Sequence, residues 1–439
     1  MKRKIDEQLL RWKNKKQRKP LIVNGARQVG KTYSLMAFGR SHYDNVIHVN
    51  LDVNSIVRGF FDEDISPKYI IRMLESDAHE KIEPGKTLII LDEIQASERA
   101  LTSLKYFYEE APEYHVVAAG SLLGVAVNRE KYSFPVGKVE TVTMYPLDFE
   151  EYLIAADEKF LAGEIREAYG SVRALPAALH EKAKRLYLEY LIIGGMPACV
   201  SATQDGASLI EMPELQSGIM NDYIADMAKY ASASDSVKIR ACYNSIPAQL
   251  GKENRKFQYK VVQKGGTAGL FGASIEWLHF AGVVLKCGKT EVGSSPIAAY
   301  EDLSSFKLYM SDVGMLTMKS GIQQSILLSG QHNIFTGALT ENYVAQHLQT
   351  LGAPLFYWRS AHAAEVDFVI ERQGGICAIE VKRGDHKASK SLSVFIEKYK
   401  PERAIRLSLR NFGSANGIYA IPLYAAFCLS DLPGFASSP

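Results

Sequence analysis

Apolar and polar positions between residues 20 and 145 follow two periods that alternate along the chain. Short apolar runs, which predict strands, occupy residues 21–24, 46–51, 87–91, 115–119 and 139–143. Between them, apolar residues recur at helical spacing over residues 32–38, 67–79 and 97–110. Strands that alternate with helices favour right-handed crossovers, so this region is predicted to be an α/β domain with a parallel sheet covered on both faces.

The pattern changes twice after this domain. Residues 146–233 keep a helical period. Helices at 237–250 and around 275–278, then strands around 283–287 and 306–310, outline a winged-helix module. A helix at 338–350 and strands at 355–358, 365–371 and 376–381 predict a separate α/β domain. The predicted parts are a basic N-terminal helix (1–19), an α/β domain (20–150), a helical region (151–235), a winged-helix-like domain (236–320) and a C-terminal α/β domain (321–439).

Composition excludes several classes of protein. The chain has 439 residues, of which 47% are hydrophobic and 23% charged, so it is not disordered, collagenous or a small disulfide scaffold. Its five cysteines are scattered and form no CxxC pair, which favours a reducing, cytoplasmic setting. No apolar stretch is long enough to span a membrane, and residues 1–20 lack the apolar core of a signal peptide.

Charge is unevenly distributed. The chain carries a net charge of +2, but residues 1–19 contain nine Lys or Arg and only two acidic residues. Such a segment would bind nucleic acid or another acidic surface. The favoured alternative is a solvated amphipathic helix that packs through Ile5, Leu9 and Trp12.

The strongest chemical motif matches the phosphate-binding pattern GxxxxGK[ST]. It follows the first predicted strand and opens a helix, which is the context that the motif requires. Its backbone N–H groups would surround phosphates, Lys31 would reach the β- and γ-phosphates, and Thr32 would ligate Mg²⁺. We therefore expect ATP to bind to Gly25, Ala26, Arg27, Gln28, Val29, Gly30, Lys31 and Thr32.

The second part of this site is predicted at the ends of two other strands. Asp92 ends the apolar run 88–91 and would hold Mg²⁺, while Glu93 would act as the general base on the attacking water. Ser121 follows the fourth predicted strand and would sense the γ-phosphate or position the water, with an ordinary turn serine as the alternative. Arg129, near Asn128, is a weaker candidate for an arginine finger.

Several motifs together resemble a large family of prokaryotic AAA-type ATPases that carry a C-terminal, restriction-endonuclease-like domain of unknown function. The resemblance covers nearly the whole chain. The segments that carry it are Gly25-Ala-Arg-Gln-Val-Gly-Lys-Thr, Leu-Asp92-Glu93-Ile-Gln, Ala-Gly120-Ser121, Tyr145-Pro-Leu-Asp-Phe-Glu-Glu-Tyr-Leu153, Gly194-Gly-Met-Pro197, Tyr309-Met-Ser-Asp-Val-Gly314 and Gly337-Ala-Leu-Thr-Glu-Asn-Tyr-Val344. It implies a P-loop sheet with an additional strand, a helical region, a winged helix and a nuclease-like end.

The chain departs from this family at one position. The family commonly has Gly-Arg before the Tyr-Pro-Leu segment, whereas this chain has Gly137-Lys138. If that arginine acts as a finger in relatives, Lys138 offers only a point charge without a bidentate fork.

The C-terminal domain contains residues in the PD-(D/E)xK pattern of magnesium nucleases. Asp367 lies in one predicted strand, Glu380 and Lys382 share a face of the next, and Glu341 lies on the preceding helix. The carboxylates would bind one or two Mg²⁺ ions, and Lys382 would activate water or stabilise the transition state. Such folds also serve as binding modules without cleavage.

The winged-helix-like region offers a basic segment for DNA phosphates, with a solvated packing face as an equal alternative. Its cations are Lys252, Arg255, Lys256, Lys260 and Lys264, against Glu253 alone.

The sequence thus predicts a Mg²⁺-dependent, cytoplasmic ATPase with an α/β, AAA-like P-loop domain. We expect its nucleotide state to be coupled to a DNA-interacting, nuclease-like domain. The alternatives are an ATPase with an inert nuclease-like fold and a nucleotide sensor that does not hydrolyse ATP. A homo-oligomer or a protein partner stays open, and no membrane association is expected.

Overall fold

The structure is a computed structural model that describes residues 1–121, 134–330, 333–360, 364–372, 375–382 and 390–431. The chain divides into two compact units. The first contains Met1–Tyr145 and Phe280–Gly282, and the second contains Pro146–His279 and Val283–Pro439. Among the residues that the structure describes, no helix combines the length and the apolar character that crossing a membrane requires.

The first unit is a parallel sheet with helices. Its elements are α1 (Ile5–Lys13), β1 (Leu21–Asn24), α2 (Lys31–His42), β2 (Asn45–Asn50), α3 (Ser55–Glu63), α4 (Pro67–Ala78), β3 (Thr87–Asp92), a 3₁₀ turn at Ile94–Ala96, α5 (Glu98–Glu110), β4 (His115–Gly120) and β5 (Glu140–Thr143). The strands are parallel, in the order β2-β3-β4-β1-β5. Because β4 lies between β1 and β3, the sheet has the additional strand expected from the resemblance.

The apolar pattern predicted the buried strands β1, β3 and β4 best, whereas β2 is partly buried and no residue of β5 is buried. All six residues of β3 and all six of β4 are buried, as expected for central strands of a parallel sheet. The predicted helices are also present: α2 is longer than predicted at both ends, and α4 and α5 are each one residue shorter. The prediction omitted α3, a short helix that buries only Val57 and Phe61.

The basic N-terminal segment forms the amphipathic helix that was favoured. Ile5, Leu9 and Trp12 of α1 are buried, with exposed fractions of 6%, 0% and 2%. The opposite face of α1 carries the charged residues, as expected for a helix that buries one face and exposes the other.

The second unit begins with a helical region, as predicted. The helices of the remaining chain are α6 (Phe149–Ala155), α7 (Lys159–Ser171), α8 (Ala177–Ile193), α9 (Pro197–Gln204), α10 (Met212–Tyr230), α11 (Ala233–Leu250), α12 (Tyr259–Val262), α13 (Ala268–Phe280), α14 (Val313–Ser320), α15 (Gln324–Leu328), α16 (Ile334–Gln349) and α17 (Lys390–Tyr399), with 3₁₀ segments at Leu209–Glu211, Ile297–Tyr300 and Leu423–Asp431.

The strands in the described part of the second unit form one mixed sheet of eight. They are β6 (Val284–Thr290), β7 (Glu301–Met310), β8 (Leu355–Arg359), β9 (Glu365–Arg372), β10 (Gly375–Val381), β11 (Arg403–Ser408), β12 (Gly413–Ala415) and β13 (Ile418–Pro422). Their order is β12-β13-β11-β10-β9-β8-β6-β7.

This sheet differs from the prediction of a winged helix at 236–320 followed by a separate domain. The expected helices and the antiparallel β6–β7 hairpin are present, but β6 also pairs in parallel with β8. The hairpin is therefore the edge of the C-terminal sheet rather than an independent wing. The local pattern could not reveal this, because the partner strand lies far along the chain. The nuclease-like class of this sheet stays a prediction.

The buried Asp312 joins two glycine-containing motifs of the second unit, Gly194-Gly-Met-Pro197 and Tyr309-Met-Ser-Asp-Val-Gly314. Asp312 accepts hydrogen bonds from the amides of Gly195 (2.6 Å) and Met315 (3.0 Å), the second of which caps α14. The Leu147 amide donates to the Gly195 carbonyl at 2.7 Å. A Cβ atom on Gly195 would lie 1.9 Å from the Leu147 carbonyl oxygen, so only glycine fits.

We predict that Gly195→Ala destabilises the protein by about 1–3 kcal/mol or more, because backbone atoms would have to move and break these hydrogen bonds. Thermal unfolding followed by circular dichroism measures the effect. The matched control is Gly163→Ala in α7, where an added Cβ meets nothing within 4 Å. That variant should be neutral or gain up to about 1 kcal/mol. Equal unfolding temperatures for the two variants would contradict the prediction.

Candidate functional site

The phosphate-binding motif forms the loop between β1 and α2. Gly25 has φ +145°, and a Cβ atom there would lie 2.2 Å from the Met144 carbonyl oxygen. Gly30 has φ 92° and precedes the first residue of α2. These two glycines are required by a close backbone approach and a left-handed turn. Gln28, with φ 64°, is a third left-handed position.

Lys31 folds back onto this loop. Its Nζ donates hydrogen bonds of 2.9 Å to the carbonyls of Gly25 and Ala26. The side chain is therefore held inside the loop, where a phosphate is expected. A bound phosphate would offer charged oxygens in place of these carbonyls, and hydrogen bonds to charged acceptors are the stronger ones.

Thr32 and Asp92 meet at the carboxyl edge of the parallel sheet. The Thr32 hydroxyl donates to Asp92 Oδ2 at 2.6 Å, and the Glu93 amide donates to Asp92 Oδ1 at 3.0 Å. Burial raises the pKa of the Asp92 carboxyl, but the hydrogen bonds from His48, Thr32 and the Glu93 amide outweigh it and hold this pKa below its ordinary value. Asp92 is thus stabilised as an anion.

Two neighbours of this pair were missed in the sequence. His48 Nε2 lies 3.4 Å from Asp92 Oδ2, and Gln95 Nε2 donates to a Glu93 carboxylate oxygen. Glu93 itself is a left-handed residue with φ 51°. His48 interrupts the apolar run of β2, and that interruption is the signal that would have found it.

The remaining predicted residues of this site have different outcomes. Ser121 is 7% exposed and directly follows Gly120, which pairs with Asn24 at the start of the loop. Lys138 Nζ lies 2.8 Å from Glu109 Oε1, so it forms an ion pair within its own unit. Asn128 and Arg129 lie outside the described residues.

The donor set fits a magnesium nucleotide. A threonine hydroxyl and an anionic carboxylate are hard oxygen ligands of the kind that Mg²⁺ takes together with substrate phosphates. The 2.6 Å separation of Thr32 Oγ1 and Asp92 Oδ2 brings both to one point beside the loop. Thr32 and Asp92 are therefore suitable ligands for the Mg²⁺ ion of a bound nucleotide.

Family comparisons agree with this site. Residues 17–153 match a family model described as an AAA domain. Residues 184–325 and 336–426 match two families described as domains of unknown function. The match to an AAA domain therefore falls mainly on the first unit, while the matches to the second unit carry no functional description.

Individual relatives add little beyond this. Uncharacterized proteins of Mycobacterium tuberculosis and Mycobacterium bovis are 37% identical over 79 residues, which is 18% of this chain and 18% of each relative. A Walker-type ATPase of Pyrococcus abyssi is similar in structure, with a TM-score of 0.44 and 15% identity over 72% of this chain and 95% of that one. ATP-analogue-bound DnaA of Aquifex aeolicus has a TM-score of 0.31 and 11% identity, over 64% and 89% of the two chains.

Glu341, predicted as a nuclease carboxylate, lies in a network of charges. It is 1% exposed, and its carboxylate contacts Lys307 Nζ at 2.9 Å, the Tyr309 hydroxyl and the Arg255 guanidinium. Lys307 is also fully buried and donates to Glu365 at 2.7 Å. Cations within the chain thus neutralise the Glu341 carboxylate.

The other predicted nuclease residues are also paired. Glu380, 1% exposed, lies 3.3 Å from Lys382 Nζ and 3.3 Å from Arg406 Nε. Asp367 accepts a 2.8 Å hydrogen bond from the Val381 amide. Within the described part of the chain, no three His, Cys, Asp or Glu side chains gather in a group that would hold a metal ion.

Arginines from other segments of the chain contact two of these acids. Arg406 on the neighbouring strand β11 contacts Glu380, and Arg255 contacts Glu341. Both arginines are distant in sequence, so only the fold brings them to the acids.

Two cations of the predicted DNA-binding segment make contacts within the second unit. Besides the contact of Arg255 with Glu341, Lys256 Nζ donates to the Ser305 hydroxyl at 2.8 Å. A basic cleft lies elsewhere in this unit, with a volume of about 1100 Å³. Its charged lining residues are Lys289, Glu291, Arg359, Lys390 and Lys398.

We predict that Glu341→Gln lowers the free energy of unfolding by about 3 kcal/mol, because it removes the buried one of the two carboxylates that pair with the buried Lys307. Chemical denaturation measures this loss. Combining Glu341→Gln with Lys307→Met should recover part of it. The control Glu181→Gln, which breaks the exposed pair with Lys184, should cost less than about 1 kcal/mol. A harmless Glu341→Gln would show that the carboxylate is not structural.

Proposed function

We propose that the protein is a Mg²⁺-dependent ATPase. In this proposal the loop from Gly25 to Thr32 binds the phosphates, and Lys31 exchanges its carbonyl partners for phosphate oxygens. Thr32 and Asp92 hold Mg²⁺, which when bound neutralises phosphate charge. Glu93 accepts the proton of the attacking water, with Gln95 orienting its carboxylate. Ser121 lies at the same sheet edge and is proposed to sense the γ-phosphate.

The observation that carries this proposal is the Thr32–Asp92 hydrogen bond of 2.6 Å beside the phosphate loop. Two oxygen ligands from elements far apart in sequence converge there, next to an acid in a position suited to a general base. A purely nucleotide-sensing role would not require Glu93. The arrangement therefore favours hydrolysis over sensing alone.

We predict that Lys31→Ala abolishes binding of ATP, because the phosphates lose the lysine that is held inside the loop. Glu93→Gln should bind ATP normally but hydrolyse it at least about 100-fold more slowly, as expected for a lost general base. Titration with a fluorescent ATP analogue and assays of phosphate release measure the two effects.

Glu110→Gln is a matched control, since Glu110 is exposed at the end of α5. It should change neither binding nor turnover. Normal hydrolysis by Glu93→Gln would transfer the role of base to another residue. A wild-type protein that binds no ATP would overturn the ATPase proposal.

The charged residues of the second unit support a further proposal, that this unit binds nucleic acid without cleaving it. Two of the carboxylates expected to hold a metal, Glu341 and Glu380, already have cationic partners, which favours the inert fold over an active nuclease. The basic cleft supplies cations of the kind that contact phosphates. Lys390 and Lys398 are exposed within its lining.

We predict that Lys390→Glu combined with Lys398→Glu weakens binding to DNA and flattens its dependence on salt, since fewer counterions are released. Fluorescence anisotropy with labelled duplex and single strands measures both quantities. The matched control reverses Lys260 and Lys264, which are exposed outside the cleft. Stronger effects from that control would favour the winged-helix-like segment as the DNA contact.

A plasmid assay distinguishes binding from cleavage. Wild-type protein with Mg²⁺ or Mn²⁺, with and without ATP, should leave supercoiled DNA intact. Cleavage that Asp367→Ala and Glu380→Ala each abolish would restore the nuclease hypothesis.

A further inference from the structure

The basic N-terminal segment, residues 3–19, is fastened to the first unit at several points. Lys13 donates to the carbonyl of His42, the last residue of α2, and its Nζ lies 4.2 Å from the centre of the Tyr43 ring. Lys15 pairs with Glu140 of β5 at 2.6 Å. Lys13 and Lys15 therefore contact α2, the helix that follows the phosphate loop, and the edge strand β5.

Arg3 reaches the phosphate loop itself. Its side chain is buried, with Arg3 6% exposed. Nη1 donates to the Val29 carbonyl at 2.9 Å, and Nη2 donates to the Tyr145 carbonyl at 2.7 Å. The planar guanidinium suits two such acceptors, so one side chain joins the loop to the backbone that follows β5.

The chemistry of a phosphate loop explains why such a donor matters. Its amide N–H groups have to face the phosphates, so its carbonyls turn away and need other partners. Val29 is fully buried, and a buried carbonyl without a donor is costly. At the start of the loop, Gly25 lies directly against the Met144 carbonyl. Arg3 therefore holds the back of the loop near its end, while Met144 supports its beginning.

We propose that Arg3 is a positioning residue for nucleotide binding. It holds the Val29 carbonyl outward and so keeps the amides of the loop directed at the phosphates, acting through the loop rather than on the substrate. The inference rests on the proposed ATPase function. It gives the basic segment a role in the nucleotide site instead of in binding nucleic acid.

The test compares Arg3→Ala, Arg3→Lys and Arg11→Ala in the full chain. Arg11 is exposed on α1, so its removal changes the charge equally without touching the loop. Binding of a fluorescent, non-hydrolysable ATP analogue gives Kd, and steady-state assays give kcat and KM. Arg3→Ala should raise Kd at least about tenfold, as expected for a lost charged hydrogen bond. Arg3→Lys should be intermediate, because an ammonium lacks the fork, and Arg11→Ala should match wild type.

Thermal unfolding without nucleotide, measured on the same variants, separates positioning from stability. An Arg3→Ala protein that unfolds earlier but keeps the wild-type Kd and KM would overturn the inference and leave Arg3 a structural residue. An equal rise in Kd for Arg11→Ala would overturn it too, by assigning the effect to overall charge. Wild-type protein that binds no analogue would overturn the ATPase proposal and this inference with it.

Discussion

The nucleotide site depends on one contact, the hydrogen bond between Thr32 and Asp92. Their elements are not neighbours in the sheet, since β4 lies between β1 and β3. At about 4.8 Å per strand, two spacings separate the strands that carry the loop and the acid. The contact forms because α2 begins immediately after the loop and returns Thr32 to the sheet edge. The Glu93 amide and His48 contact the Asp92 carboxylate that this hydrogen bond fixes, and Gln95 contacts the Glu93 carboxylate.

Buried acids have different partners in the two units. Around Asp92, hydrogen bonds from His48, the Thr32 hydroxyl and the Glu93 amide hold the pKa below its ordinary value, so the carboxylate is an anion that an incoming cation can bind. In the second unit, Glu341 and Glu380 face lysine and arginine side chains. A metal ion would have to displace these cations. A buried carboxylate is therefore available to bind a ligand in the first unit, whereas buried carboxylates form internal ion pairs in the second.

Local signals account for what could be predicted from the sequence. The phosphate loop, the apolar run before Asp92 and the strand–helix alternation are each contained in a short segment, so the first unit and most of its proposed nucleotide site were found. Contacts between distant segments were not. The pairing of β6 with β8, Arg406 beside Glu380 and Arg3 beside Val29 depend on the fold. Residues 411–431, for which no element was predicted, contribute β12, β13 and a buried 3₁₀ segment.

The Asp312 carboxyl group, which joins the two glycine-containing motifs, makes the stability of the folded state depend on pH. Burial raises the pKa of Asp312 from its ordinary value of 3.8 to about 6, although the amides of Gly195, Met315 and Gly314 lower it. Between these values the folded chain retains a proton that the unfolded chain releases. This residue therefore stabilises the folded state most under acidic conditions, and its contribution declines as the pH rises towards about 6. Above that pH Asp312 carries a negative charge in the interior of the second unit, and in the described part of the chain backbone amides donate the hydrogen bonds that compensate it.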